Sequence, residues 1–248
     1  MSQDMDMIYT QNLSYAYPRS DMPALRGLSL HIPEGALVCL LGNNGSGKTT
    51  LLHVLTGLLQ AQGALRILGH DLPQDADKAR RELALLPQEP DLYILGSIVA
   101  EDLNLSLPPN DPTAQDRAVA LAHRFGLSTL LDRPVHALSH GEKRKLCLAS
   151  ALAAAPRLLL MDEPFAGLDF PAMLELRRIL ADNKARGITQ IISLHDLELL
   201  GDLADLCLVL RKGELVLRGR PADIYPALAG LELKAPCWWL CGQDGPPY

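Results

Sequence analysis

Gly42-Asn43-Asn44-Gly45-Ser46-Gly47-Lys48-Thr49 brings together, in close order, the groups that a phosphate chain needs. Glycines let a backbone turn tightly enough for successive N–H groups to converge on an anion. Lys48 adds a point charge for the outer phosphates, and the Thr49 hydroxyl, followed by Thr50, is suited to a magnesium ion. The spacing is GxxxxGK[ST], whose mechanism requires a strand before it and a helix after it. Both are expected here. Residues 36–41 form a continuous apolar run of the kind buried on both faces of a parallel sheet. Residues 49–59 place Leu51, Leu52, Leu55, Leu58 and Leu59 on one helical stripe, interrupted by Gly57. The positive end of that helix adds to the attraction for an anion. The segment therefore reads as a nucleotide site.

A second group of candidates lies far along the chain. Leu158-Leu159-Leu160-Met161 is an apolar strand that ends in Asp162 and Glu163. Parallel sheets present functional groups at the carboxyl ends of their strands, where the glycine-rich turn also falls. Asp162 is then placed to hold Mg²⁺ through its water shell. Glu163, one residue on and pointing differently, can orient or deprotonate a water that attacks the γ-phosphate. Ser139 and Gly141 open another helical stretch, so their hydroxyl and N–H groups form a second anion site at a helix amino terminus.

Positioning these groups takes an α/β chain. Residues 8–10, 28–32, 36–41, 158–161 and 188–194 read as strands, and 206–210 with 215–217 as a hairpin around Lys212-Gly213. From about residue 71 to 155 strand signals fade and helical ones take over, notably at 116–125 before Gly126 and at 146–155 before Pro156. A mostly parallel α/β layer interrupted by a helical insertion is the result. The tail from about residue 231, with Trp238, Trp239 and Pro246-Pro247, carries no signal.

Composition narrows the classes. The 248 residues are 48% hydrophobic and 21% charged, which fits a folded globular chain rather than a disordered one. Lys plus Arg number 23 against 29 Asp plus Glu, a formal charge of -6, so no nucleic-acid partner is expected. The apolar run at 146–155 falls far short of the roughly 18 residues that a spanning helix needs. Residues 1–7 carry Asp4 and Asp6 and no basic stretch, so no secretory signal is expected. The five cysteines (Cys39, Cys147, Cys207, Cys237 and Cys241) make no CxxC pair, which suits a reducing cytoplasm better than a disulfide framework or a metal site.

Leu138-Ser139-His140-Gly141-Glu142 resembles the LSGGQ signature of ATP-binding-cassette (ABC) ATPases. The family's other marks stand around it in order. Tyr17 looks like the aromatic that stacks on adenine, with Tyr15 as the alternative. Gln88 in Leu86-Pro87-Gln88 looks like the Q-loop glutamine, Ala166-Gly167-Leu168-Asp169 like the D-loop, and His195 like the switch histidine. The resemblance covers about residues 8–225. It implies a P-loop NTPase (RecA-like) core with an antiparallel β subdomain and an inserted α-helical signature subdomain. Residues 1–86 and 157–230 would form the nucleotide-binding core, 87–156 the helical subdomain and 231–248 a short tail. It further implies ATP with Mg²⁺, catalytic roles for Glu163, His195, Lys48 and Gln88, and metal ligation by Thr49, Gln88 and Asp162. Tyr17, residues 42–50 and Asp169 would contact the nucleotide. The working state would be a head-to-tail homodimer or heterodimer. Each ATP would lie between Lys48 of one subunit and Ser139, His140, Gly141 and Glu142 of the other, in two-fold symmetry. The chain departs from the pattern at His140, where the signature has Gly, at Glu142, where it has Gln, and at Phe165, where a small hydroxyl residue is commoner. None of these removes a catalytic group.

Pro90-Asp91-Leu92-Tyr93 followed by Val99-Ala100-Glu101-Asp102 is similar to energy-coupling-factor importers of the cobalt and nickel type. That similarity implies a peripheral ATPase on the cytoplasmic face of a membrane. A coupling helix of a transmembrane permease subunit would dock in the groove beside the Q-loop, lined by Leu92, Tyr93, Ile94 and Leu95. Two alternatives are an ABC ATPase of a different transporter and a soluble ABC ATPase that remodels a macromolecular or cofactor-assembly partner.

Overall fold

The computed structural model describes residues 6–20, 22–108, 110–243 and 246. Most of the segment read for a secretory signal, with Asp4, lies outside these residues, as does Pro247.

The centre is a six-stranded sheet in the order β10-β9-β3-β8-β7-β6. Its strands are β3 (Leu37–Leu41), β6 (Leu83–Leu86), β7 (Leu158–Asp162), β8 (Thr189–Leu194), β9 (Leu206–Arg211) and β10 (Glu214–Gly219). All neighbours run parallel except the β9–β10 hairpin. The two-residue side-chain period sorts β3 between two cores. Leu37, Cys39 and Leu41 face one, and Val38 and Leu40 the other. The second core also holds α1 (Lys48–Leu55) and a four-stranded antiparallel sheet of order β2-β1-β4-β5. That sheet comprises β1 (Asp6–Tyr15), β2 (Leu25–Pro33), β4 (Gln62–Ile67) and β5 (His70–Asp71). The first core packs α3 (Val99–Leu105), α4 (Ala114–Arg124), α5 (His140–Ala153), α6 (Phe170–Ala185) and α7 (Pro221–Leu228) against the opposite face. Short helices α2 (Ala76–Arg80) and α8 (Cys237–Leu240) complete the α-helices among the described residues.

Two expectations need correction. The stretch from 71 to 155 is not free of strands, since Leu83–Leu86 pairs with β7 at the sheet edge. A four-residue strand with alternate burial is too short to announce itself against the leucine-rich background. The helix after the glycine-rich turn stops at Leu55 rather than Leu59, because Gly57 adopts φ +71. The tail, which carries no signal in sequence, folds onto the main core through α8 and its buried Trp238.

Register decides what the fold can do. Leu41 pairs with Leu194, and Asp162 pairs with Ser193. The carboxyl ends of β3, β7 and β8 therefore stand side by side, and the chain leaves them as the glycine-rich turn, Glu163 and His195 respectively.

Candidate active site

The turn between β3 and α1 is tightly constrained at Gly42, whose φ is +153. A Cβ there would lie 2.4 Å from Ser46 Oγ and 2.5 Å from Leu210 O, so no side chain fits. Asn43, Asn44 and Gly45 face solvent, Gly47 caps α1, and Ser46 is buried with its Oγ lacking a hydrogen-bond partner among the described residues. Lys48 folds back over the turn and donates to Gly42 O at 2.7 Å. Burial lowers its pKa, while the carboxylates of Glu163, 3.8 Å away, and Asp162 act in the opposite direction. An arriving phosphate finds a buried cation and an unused hydroxyl in a loop shaped by its glycines.

Thr49 Oγ1 donates to Asp162 Oδ2 at 2.6 Å, joining α1 to the end of β7. The other Asp162 oxygen accepts from Ser193 Oγ, and Ser193 Oγ in turn accepts the Glu163 N–H at 2.8 Å. Ser193 thus fixes both acids, and nothing in the motif pattern singled it out. The available signal was its place near the end of β8, two residues before His195. A hydroxyl beside a buried carboxylate is a hard-oxygen donor set of the kind that Mg²⁺ prefers.

Glu163 sits at φ +47, an uncommon conformation for a residue with a side chain, which costs about 1–3 kcal/mol. Strain of this kind is retained where surrounding contacts over-determine it. His195 Nε2 lies 2.8 Å from Glu163 Oε1, and Gln88 Nε2 donates to Glu163 Oε2 at 3.3 Å. Both carboxylate oxygens are engaged, so the acid is aimed. Gln88 reaches Glu163 rather than the Thr49–Asp162 pair. Tyr17 is 42% exposed, its ring edge-on to Tyr15 at 5.0 Å and its hydroxyl 3.2 Å from Thr50 Oγ1. That leaves an aromatic face available beside the loop.

The signature segment is organised separately. Ser139 is the N-cap of α5 in a reciprocal capping box: its Oγ accepts the Glu142 N–H at 3.2 Å, and Glu142 Oε2 accepts the Ser139 N–H at 2.7 Å. Gly141 lies in the first turn. His140 packs against Gly167, whose φ is +72 and where a Cβ would come within 3.2 Å of the imidazole. The departures from the usual signature are thus accommodated locally, one by a cap and one by a glycine. Phe165 is buried in the main core, and Asp169 caps α6 by accepting the Ala172 N–H at 3.0 Å. The charge run Lys143-Arg144-Lys145 separates on folding. Lys143 pairs with Asp91 at 2.6 Å and Lys145 with Glu175 at 2.8 Å. Arg144 is buried and donates to Gln88 O at 2.8 Å and Ala166 O at 3.3 Å. It ties α5 to both loops that flank Glu163, a part that a run of like charges does not disclose.

A buried strand, a glycine-rich phosphate loop capped by a lysine, and a strand-end acid pair define a P-loop nucleotide hydrolase. The comparisons narrow the class. The ABC transporter family matches residues 25–166, and the chain belongs to it. It is 36% identical over 228 residues to the energy-coupling factor transporter ATP-binding protein EcfA of Methanothermobacter thermautotrophicus, covering 88% of this chain and 72% of that protein. It is likewise 36% identical over 232 residues to the cobalt import ATP-binding protein CbiO of Rhodobacter capsulatus, covering 91% and 82%. Among solved structures, cbiO1 from Clostridium perfringens, part of the ABC transporter complex cbiONQ, superposes with a TM-score of 0.80 at 28% identity over 90% of this chain and 91% of that one. The chain is an ATP-binding, ATP-hydrolysing protein of the ABC transporter family, and the resemblance to the energy-coupling-factor and cobalt-import group is borne out.

Proposed function

We propose that this chain is the peripheral ATPase of a membrane importer for cobalt, nickel or another micronutrient, working on the cytoplasmic face beside a transmembrane permease subunit. The import assignment is supported by the names of the relatives. No helix among the described residues is long and apolar enough to cross a membrane, so a separate subunit would form the path. Leu92 and Leu95 are 75% and 81% exposed next to Gln88, an apolar surface suited to a permease helix.

The observation that carries the chemistry is Glu163, held between His195 and Gln88 within reach of Lys48. ATP would lie with its phosphates in the loop 42–50 and its adenine against Tyr17. Lys48 would exchange its bond to Gly42 O for the β- and γ-phosphates. Glu163 would orient and deprotonate the attacking water, with His195 fixing the carboxylate and facing the γ-phosphate. Gln88 would report the state of this centre to the permease surface that follows it in sequence. Thr49 and Asp162 would hold Mg²⁺, which neutralises charge on the phosphates. Ser139 and the N–H groups of α5 would complete the site from a second subunit, with residues 87–156 as the lobe that moves. ATP binding would favour the closed dimer, and loss of the γ-phosphate would release it.

The test is co-purification from native membranes in mild detergent. A multi-span permease should follow the wild-type chain and be lost from Leu92→Asp/Leu95→Asp, while ATP hydrolysis by the purified variant persists. Purification with soluble partners alone would overturn the importer reading.

A further inference from the structure

The sheet ends at Leu194, immediately before His195. From that point the backbone has no ladder partner in the sheet, and the histidine ring is half exposed with its Nε2 on Glu163. Its position therefore depends on what holds residues 196–201. The carboxyl-terminal segment holds the part of that stretch nearest His195. Asp196 forms a parallel bridge with Lys234. The Cys237 N–H donates to Glu198 Oε2 at 2.8 Å, and Trp238 Nε1 donates to Glu198 O at 3.2 Å. Side chain and main chain of one residue are thus both engaged by the tail.

The tail is itself anchored. Trp238 is 5% exposed and meets Tyr225 edge-on at 5.8 Å. A Cβ on Gly201 would fall 2.5 Å from Tyr225 Oη and 3.1 Å from the Trp238 ring, so the turn after Glu198 is seated directly on this aromatic pair. On its other side the same loop borders a cavity of about 530 Å³ lined by Glu163, His195, Phe170, Met173 and Leu199. Leu197 and Leu200 are buried in the core and Arg177 donates to Leu199 O, so the loop has other supports, but the tail is what holds both the side chain and the main chain of Glu198.

We propose that the segment from Leu233 to Trp239 is a positioning clamp for His195, acting through Glu198. It touches neither nucleotide nor the reacting atoms. By holding the loop that leaves β8, it sets the distance between the imidazole and Glu163. The inference rests on the reading that Glu163 and His195 carry out the chemistry.

The experiment measures ATP hydrolysis, ATP affinity by equilibrium binding and melting temperature for the full-length chain and four variants: Glu198→Ala, Glu198→Gln, Trp238→Ala and His195→Ala. Displacing a catalytic group slightly from its working geometry lowers turnover without loosening substrate, so Glu198→Ala and Trp238→Ala should lose about 10-fold or more in kcat with KM and Kd for ATP within about twofold. Glu198→Gln should recover most of the rate, because its amide oxygen can still accept the Cys237 N–H. If Trp238→Ala proves too unstable to assay, the Glu198 pair carries the test, since it leaves the aromatic anchor intact. Wild-type kcat in Glu198→Ala, beside an inactive His195→Ala, would overturn the clamp and leave the reading of the centre standing. Wild-type kcat in His195→Ala would overturn that reading and the clamp with it. Equal loss in Glu198→Ala and Glu198→Gln would also overturn the clamp, since it would show that the charge matters rather than the bond to the tail.

Discussion

The phosphate-loop half of the site and the signature half are built on opposite principles. In the first, six side chains from four parts of the chain already touch: Thr49 on Asp162, and Lys48, Gln88 and His195 around Glu163. They meet because β3, β7 and β8 are neighbours in one sheet and end in register. In the second, Ser139 and Glu142 satisfy each other, and His140 rests on Gly167. Among the described residues, neither capping bond goes to the phosphate loop. The sheet half is preorganised for chemistry, whereas the helix half is finished as a helix end and offers its amide groups outward. On the proposed reading, a centre split this way would hydrolyse ATP well only when a second subunit brings the halves together. Arg144, bonded to the backbone of Gln88 and Ala166, is one link through which their relative position can be felt within one chain.

Removing the proposed base from the organised half should have the largest effect. Glu163→Gln keeps the size and the hydrogen bonds of the side chain but not its proton affinity. Steady-state hydrolysis should fall by about 10²–10⁴-fold. ATP affinity should stay near wild type, and a dimer should accumulate with ATP on size-exclusion chromatography. Lys48→Ala should instead lose nucleotide binding itself, as read by a fluorescent ATP analogue. A Glu163→Gln protein that hydrolyses normally, or remains monomeric with ATP, would break the contrast between a chemical half and a closing half.

The contact between the halves sharpens the comparison at intermediate size. Gly167→Ala puts a methyl group 3.2 Å from His140 Nε2 at φ +72, where a side chain costs on the order of 1 kcal/mol or more. Nucleotide binding in isolation should be unaffected, and turnover should drop several-fold because the loop beside Glu163 shifts. His140→Gly should restore much of the loss when combined with Gly167→Ala. A double-mutant cycle measures this directly, and contacting residues should show coupling of about 0.5–3 kcal/mol. Strict additivity would mean that the signature and the 166–169 loop do not communicate through this contact.

The same contrast explains what could be read in advance. Groups that act by type and spacing were legible: Lys48, Thr49, Asp162, Glu163 and the helix opening at Ser139. So were α4, through its helical period, and β3, through its continuous apolar run. Ser193 was not, because a serine in a buried strand resembles any other satisfied hydroxyl until its acid partners are placed beside it. Arg144 was hidden in a run of like charges that tertiary contacts resolve into two surface pairs and one buried tether. The edge strand Leu83–Leu86 was masked by its shortness, and the tail by the fact that Trp238 packs on residues many positions away. Long-range partners leave no local period to detect.

The smallest effect should come from the signature cap, through pH. Glu142 accepts the Ser139 N–H, and this bond, with the Ser139 hydroxyl and Arg133 nearby, holds its carboxyl below the usual carboxylate range. A carboxylate whose pKa is depressed on folding adds stability above its unfolded value, about 4.3, and loses it as the pH falls through the lower folded value. Glu142→Gln can still accept the Ser139 N–H through its amide oxygen but does not titrate. The wild type should therefore be more stable than Glu142→Gln at neutral pH, by less than about 1 kcal/mol for a partly exposed cap. That advantage should shrink as the pH falls below the ordinary carboxylate range toward the lowered folded value. Urea unfolding at pH 7 and pH 3.5 measures both. A difference that is the same at the two pH values would mean that the cap is held by shape alone, and that the signature helix owes nothing to the charge of the glutamate that stands in its first turn.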